Sequence, residues 1–466
     1  MTEQNLVFDQ DLINRYDRQG PRYTSYPTAV QFVETFGNRD YRTHAEHSNR
    51  GSAPAPLSLY FHIPFCATVC YYCACNKIVT KNPVHTVNYL KSLFREIETQ
   101  GALFDRQRPV DQLHWGGGTP TFLSAEQMQA LMDKTREHFS LHHDDAGEYS
   151  IEIDPRTVDS RRVHFLRELG FNRLSMGVQD FDPTVQRAVN RIQSEEHTLN
   201  TIHAAREAGF QSISVDLIYG LPYQSVSSFD QTLDKVIATD PDRLSVFNYA
   251  HLPQLFKTQR QIDESTLPSP EVKLQILQHA IERLTQAGYV YIGMDHFAKP
   301  DDELAVAQRA GELSRNFQGY ATHGDCDIIG MGVSAIGRVG TCYVQNEREL
   351  ENYQSRCENE GLAVFRGIEL NEDDLLRRAI INQLICHFEL SPADFESRYN
   401  IDFGSYFQAE LEQLQGMQED GLLMLDPTNG LRVLPAGRLL IRNICMVFDN
   451  YLGNASAGSA RFSKVI

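Results

Sequence analysis

Short apolar runs alternate along this chain with longer segments whose apolar residues recur at three and four spacing. The runs Ser58–Ile63, Gln112–Trp115, Tyr149–Ile153, Arg173–Val178, Ser212–Ile218, Arg243–Tyr249 and Val290–Gly293 predict strands. Between them, Val84–Leu103, Ala125–Phe139, Ser160–Leu169, Glu195–Ala208, Ser228–Ile237 and Pro270–Ala287 predict helices. Ser124 and Ser269 stand where helix caps belong, and Gly170, Gly209 and Gly288 each follow a helix. This alternation predicts a parallel sheet with helical crossovers, in the form of a full or partial β/α barrel. Barrel sites form at the carboxyl ends of the strands. Those ends carry Cys66, the stretch Gly116-Gly-Gly-Thr-Pro120, Glu152 with Asp154, Gln179 with Asp180, Asp216 with Gly220, and Asn248 to His251.

Two flanks depart from the pattern. Residues 1–50 read as a polar, irregular arm. From about residue 370, Asp373–His387, Pro392–Tyr399 and Ser405–Glu419 predict helices. Gly421–Leu425 and Leu431–Leu434 predict strands around Asp426-Pro-Thr-Asn-Gly430, and a last helix begins near Ala436. The expected fold class is α/β: a partial β/α barrel over 51–350, an arm over 1–50 covering its site, and a smaller, mostly helical, winged-helix-like domain over 365–466 serving as a lid.

Charge narrows the function. The 43 Lys and Arg against 61 Asp and Glu give a net charge of −18 over 466 residues, which opposes nucleic acid or an anionic membrane as the main partner. The winged-helix resemblance therefore does not imply DNA binding. No uncharged apolar stretch is long enough for a membrane span. The first residues lack a basic segment followed by an apolar one, so a cytoplasmic location is expected, where thiols stay reduced.

Four of the nine cysteines, Cys66, Cys70, Cys73 and Cys75, fall within ten residues. The other five are scattered, as small buried hydrophobes are. Thiolates gathered at one point suit zinc or an iron–sulfur cluster. Structural zinc usually takes two ligand pairs across a longer insert, whereas the irons of a cluster sit at separate corners and tolerate short spacings. The spacing C-x3-C-x2-C-x-C favours the cluster, with a zinc scaffold as the rival.

C-x3-C-x2-C after a first barrel strand resembles the signature of the radical S-adenosylmethionine (SAM) enzymes. Tyr60-Phe-His-Ile-Pro-Phe-Cys66 and Cys73-Ala-Cys75-Asn-Lys narrow the resemblance to the oxygen-independent coproporphyrinogen III oxidases, supported by Gly20-Pro-Arg-Tyr-Thr-Ser-Tyr-Pro27, Gly116-Gly-Gly-Thr-Pro-Thr121 and Asn316-Phe-Gln-Gly-Tyr320. It runs from about residue 15 to the end. Heme-chaperone relatives share the barrel but differ at the position of Cys75 and lack the full arm and the Asn-Phe-Gln-Gly-Tyr stretch.

The resemblance implies that Cys66, Cys70 and Cys73 hold one [4Fe–4S] cluster whose open iron takes SAM, with Cys75 outside the ligand set. It implies two SAM molecules. Tyr60, Gly117, Glu152 and Ile336 would contact the first. Tyr72, Gly118, Thr119, Gln179, Arg191, Asp216 and Ala250 would contact the second. Tyr60, His62 and Glu152 form the implied catalytic set, and Tyr23, Tyr26, Phe317 and Gln318 the implied substrate contacts. The chemistry agrees: Glu152 can accept from an ammonium, Arg191 can fork onto a carboxylate, and Asp216 suits a ribose diol. Glu152 and Asp216 could instead pair with a structural base, and Arg191 could be a surface ion pair. The implied reaction converts two propionates of coproporphyrinogen III to vinyl groups, giving protoporphyrinogen IX in heme biosynthesis. A 5′-deoxyadenosyl radical made from SAM takes the hydrogen, and the partners include an unidentified reductant and an electron acceptor. A monomer is expected.

Overall fold

In the computed structural model, which describes residues 6–50, 53–426 and 430–452, the central strand Leu57–Ile63 (β1) is buried at six of its seven positions. Leu57, Leu59, Phe61 and Ile63 fill one face, while Ser58, Tyr60 and His62 carry polar groups on the other. Pro109–Gly117 (β2), Glu148–Ile153 (β3), Arg173–Gln179 (β4), Ser212–Tyr219 (β5) and Arg243–Asn248 (β6) follow on one side of β1, parallel and in chain order. On its other side Asp327–Met331 (β7) also runs parallel to β1. Ile336–Val339 (β8), Cys342–Asn346 (β9) and Val364–Glu369 (β10) then continue the sheet in antiparallel fashion.

Helices join the parallel strands where the periodicity places them: Val84–Leu103, Ala125–His138, Ser160–Leu169, Glu195–Glu207 and Val226–Ala238. Ser124 caps the second, accepting from the Gln127 N–H while Gln127 reaches back to the Ser124 N–H. Phe61, Trp115 and Phe171 meet edge to face in the core beneath the sheet, with ring centroids 6.1 and 5.0 Å apart.

The chain divides into two compact units, and they interleave rather than follow one another. One holds the strands β1–β10 and comprises Phe32–Ser269 and Asp325–Glu369. The other comprises the described parts of Met1–Gln31, Pro270–Gly324 and Leu370–Ile466. The consecutive stretches 1–50, 51–350 and 365–466 cut across this division.

In the second unit Val290–Gly293 is a strand, but it forms an antiparallel hairpin with His296–Ala298. The strand beside β1 is instead β7, which the sequence pattern left unmarked. The expected carboxyl-terminal helices are present as Glu372–His387, Pro392–Tyr399, Phe403–Tyr406 with Gln408–Glu419, and Ile441–Val447. Glu389–Leu390, Gly430–Val433 and Leu423–Asp426 make a small sheet. The middle of the expected turn, Pro427–Asn429, lies outside the described residues.

Residues 6–50 are not irregular. Gln10–Tyr16 and Asn38–Ser48 are helices, one burying Ile13 and the other Tyr41 and Ala45. One or two inward positions leave too little periodicity to read. In the second unit, Arg442 donates to the carbonyls of Gly20 and Pro21, and Tyr23 donates to Asp449 Oδ2 at 2.9 Å. The Tyr26 hydroxyl accepts from the Asn450 N–H at 3.1 Å. Tyr23 and Tyr26 are both buried, so the motif Gly20–Pro27 is anchored within its own unit. Among the described residues no helix is long and apolar enough to cross a membrane.

Candidate active site

The cysteine loop leaves β1 and is tied down on both sides. Phe65–Cys66 pairs in parallel with Ile78–Val79, closing the loop at its base. The Tyr71 N–H donates to Val189 O, Asn190 Nδ2 donates to Val69 O at 2.7 Å, and Gln259 Nε2 donates to Tyr72 O at 3.1 Å. Segments following β4 and β6 thus fix a stretch with almost no secondary structure of its own. Cys66, Cys70, Cys73 and Cys75 all face one cavity of about 560 Å³ at the carboxyl ends of the parallel strands. The neighbouring Cys75 and Lys77 draw the Cys73 thiol down to about 6, while burial pushes Cys66 up. The Thr119 hydroxyl donates to Cys66 Sγ at 3.4 Å.

The sulfurs are spread out. Among the described residues, no three of these four lie within 4.8 Å of one another. A tetrahedral zinc with ~2.3 Å bonds to sulfur needs every ligand pair closer than that. Soft donors spaced around an open cavity fit the separate corners of an iron–sulfur cluster instead.

Next to the sulfurs, β2 ends in Gly116-Gly117-Gly118-Thr119. A Cβ on Gly117, which has φ +112°, would stand 2.7 Å from the His62 ring, and one on Gly118 would stand 2.7 Å from the Pro64 carbonyl. Only glycine lets these backbones approach so closely. The Gly117 N–H donates to Glu152 Oε2 at 3.1 Å, and His114 Nε2 donates to Oε1 at 3.2 Å. Burial opposes ionisation of Glu152, but these donors win and hold its carboxyl below the usual range. Its side chain is still 45% accessible, because it faces the cavity. Two of the roughly four lone-pair sites of a carboxylate are used, and the rest are open to a ligand.

Tyr60 stacks on His114 and donates to His62 Nδ1 at 3.0 Å. The other ring nitrogen, Nε2, stands 2.9 Å from Asn76 O and must donate to it. That pairing fixes the tautomer, and burial lowers the His62 pKa, so the ring stays neutral.

On the far wall, Asp154 accepts from Arg156 through both carboxylate oxygens, and from Arg191 Nη1 at 3.3 Å. Burial opposes its ionisation, yet Arg191 and Arg156 hold Asp154 below the usual range. Both guanidiniums also reach Cys70 Sγ, at 3.6 and 3.5 Å. Arg191 is therefore a buried group of the site and not a surface ion pair. Asp216 accepts from hydroxyls: Ser175 donates to it at 3.2 Å, and Ser245 also donates. Burial, with Glu152 adding, pushes its pKa up to about 6.

Residues 60–236 match the radical SAM superfamily, and residues 370–440 match the HemN C-terminal domain. The chain is 55% identical over 461 residues to the oxygen-independent coproporphyrinogen III oxidase of Pseudomonas aeruginosa, covering 99% of each. It is 52% identical over 467 residues to the Escherichia coli protein of that name, covering 100% of both. This chain belongs to the oxygen-independent coproporphyrinogen III oxidases. The solved structure of E. coli HemN, a radical SAM enzyme, matches it with a TM-score of 0.91 at 50% identity, over 96% of this chain and 100% of that one. Membership makes the chain a radical SAM oxidoreductase of porphyrin biosynthesis, whose cofactors are a [4Fe–4S] cluster and SAM.

Of the residues marked from the oxidase motifs, Cys66, Cys70, Cys73, Tyr72, Gly117, Gly118, Thr119, Glu152, Gln179, Arg191 and Asp216 line the one cavity. Tyr60 and His62 stand behind it through His114 and Gly117. Ala250 and Ile336 are not among the lining residues. The Ala250 carbonyl instead accepts from Gln259, which also holds Tyr72. Tyr23, Tyr26, Phe317 and Gln318 belong to the other unit, where Phe317 and Gln318 sit at the tip of a hairpin of Ser314–Asn316 and Gly319–Ala321. The sequence pattern did not single out His114, Arg156, Ser175 and Gln259. His114 and Ser175 lie on predicted strands at inward positions, a signal that could have found them.

Proposed function

We propose that this chain removes CO2 and a β-hydrogen from each of two propionates of coproporphyrinogen III, giving the vinyl groups of protoporphyrinogen IX in heme biosynthesis. The observation that supports it most is the set of three thiols on one clamped loop, facing the glycine turn and an ionised, accessible Glu152. Cys66, Cys70 and Cys73 would hold the cluster. The bound cluster and SAM supply a one-electron chemistry strong enough to break an unactivated C–H bond, which no side chain here can do.

The chain's own residues do the rest. The backbones of Gly117 and Gly118 admit a ligand close to the sulfurs. Glu152, kept ionised, accepts from the ammonium of a first SAM. Asp216, titrating near 6, and Arg191, which donates to the carbonyl of Gly177, the strand neighbour of Asp216, meet the polar groups of a second. Thr119, Gln179 and Tyr72, which line the cavity, complete that second set, and Tyr60, behind its wall, supports the first. His62, neutral and tautomer-locked, holds the Tyr60 hydroxyl in one orientation. The buried Tyr23 and Tyr26 anchor the arm within its own unit. A reductant and an electron acceptor complete the reaction, and the chain works as a cytoplasmic monomer.

The test is an anaerobic assay with coproporphyrinogen III, SAM and a reductant. Vinyl product together with 5′-deoxyadenosine is expected. Stoichiometric heme binding without decarboxylation would support the chaperone alternative and overturn this function.

A further inference from the structure

The proposed reaction gives Arg156 no role, yet its position is built. It follows Asp154 and Pro155 in the single-turn helix Pro155–Thr157 that closes β3. The Asp154 carboxylate accepts from the Arg156 backbone N–H at 3.0 Å and from its guanidinium at 3.0, 3.1 and 2.6 Å. Such a fork fixes the guanidinium plane. Nη2, which donates to Asp154 Oδ2, also reaches Cys70 Sγ, 3.6 Å away. Arg191 meets the same sulfur at 3.5 Å, while sharing Asp154. Two cations and one carboxylate leave one net positive charge beside a single cysteine sulfur, with Arg156 only 20% and Asp154 10% accessible. Neither Cys66 nor Cys73 has a guanidinium partner among the described hydrogen bonds.

We propose that Arg156, oriented by Asp154, is a positioning residue that donates to the Cys70 sulfur and raises the reduction potential of the cluster held there. The inference rests on the reading that Cys66, Cys70 and Cys73 bind that cluster. Reduction adds one electron, and so one negative charge, shared over the cluster and its sulfurs. A donor and a net cation beside one sulfur stabilise that charge, and hydrogen bonds to ligand sulfurs are an established lever on cluster potential. They act more strongly in a partly dry cavity than in water.

The experiment is a potentiometric titration of the anaerobically reconstituted full-length protein with dithionite and redox mediators, without SAM, followed by electron paramagnetic resonance. Iron and sulfide content are measured first. Arg156→Gln is expected to keep the cluster and to lower the ratio of reduced to oxidised cluster at a fixed potential about tenfold, a negative shift of about 59 mV for one electron. Arg156→Lys, which keeps the charge but loses the fork, is expected to shift less in the same direction. An unchanged midpoint in a cluster-loaded Arg156→Gln overturns the inference and leaves the cluster reading intact. If only Arg156→Lys retains the cluster, a wild-type midpoint there overturns it equally. Cluster loss in both variants assigns Arg156 a purely structural role and overturns it too. A wild-type protein that binds no cluster overturns the cluster reading, and this inference with it.

Discussion

Glu152 and Glu96 lie in the same unit on opposite sides of β1, and their carboxyls behave in opposite ways. Glu152, on β3, faces the cavity. It takes hydrogen bonds from His114 and the Gly117 N–H, and its pKa falls. Glu96, on the helix Val84–Leu103, is fully enclosed at 0% accessibility. Its oxygens accept from Tyr353 at 2.6 Å, Asn346 at 2.6 Å and the Gly332 N–H at 2.8 Å, all neutral donors. There burial outweighs the hydrogen bonds, and the carboxyl rises to about 7. Burial opposes charge at both places. A basic partner decides the outcome at one, and its absence decides it at the other. The parallel side of the sheet keeps a charge ready for a ligand. The antiparallel flank uses a carboxyl to bind the turn after β7 to a helix and to β9.

The cavity side of this contrast depends first on the sulfurs. Serine at Cys66, Cys70 or Cys73 offers a harder, poorly ionised ligand, and SAM cleavage should fall below detection, read as 5′-deoxyadenosine. Cys75→Ser should retain the cluster, measured as iron and sulfide content. Cleavage surviving serine at any of the three would remove the basis of the proposed function.

The two glutamates should then separate by assay. Glu152→Gln keeps the shape and removes the charge. Losing a charge-assisted hydrogen bond of about 1.5–3 kcal/mol should raise the KM for SAM roughly 10- to 100-fold. Glu96→Gln should act on stability instead. The folded protein holds the Glu96 proton more tightly than the unfolded chain, from a usual value of 4.5 up to about 7. Its contribution is full below pH 4.5 and is lost as pH rises through 7, costing about 3 kcal/mol over that span. Urea denaturation at pH 5 and pH 7 should show this loss in the wild type and a flatter slope in Glu96→Gln. Equal slopes would show that Glu96 does not titrate in this window.

The contrast also marks what the sequence makes legible. The parallel strands and their helices follow from alternating short runs and three–four periodicity, so the turn Gly116–Thr119, Glu152 and Asp216 can be located at strand ends from the order of residues alone. The cysteine spacing is local and needs no fold to be read. β7 escaped because Asp327–Met331 is five residues, buried throughout and followed by glycine, with no preceding helix to announce it. Glu96, Asn346 and Tyr353 are separated by up to 257 residues and meet only through tertiary pairing. Arg156 likewise gains meaning from Cys70 in the loop after β1, and His114 from Ser150 and Glu152 on β3. A strand position could have flagged His114, but nothing local in the sequence flags Arg156.

The finest division between the two sides lies one residue further back, at Ser150. Its hydroxyl stands 2.5 Å from His114 Nδ1, and this contact orients the ring so that Nε2 carries the proton toward Glu152. Ser150→Ala leaves Glu152 and every sulfur in place and removes one hydrogen bond worth about 1 kcal/mol. If His114 is what keeps Glu152 ionised, the KM for SAM should rise by roughly fivefold with kcat unchanged. The acidic limb of the kcat/KM profile should also move to higher pH, since a less well-oriented donor lets the Glu152 pKa climb. Serine at this position serving packing alone would lower thermal stability without moving that limb, because packing does not touch the protonation of Glu152.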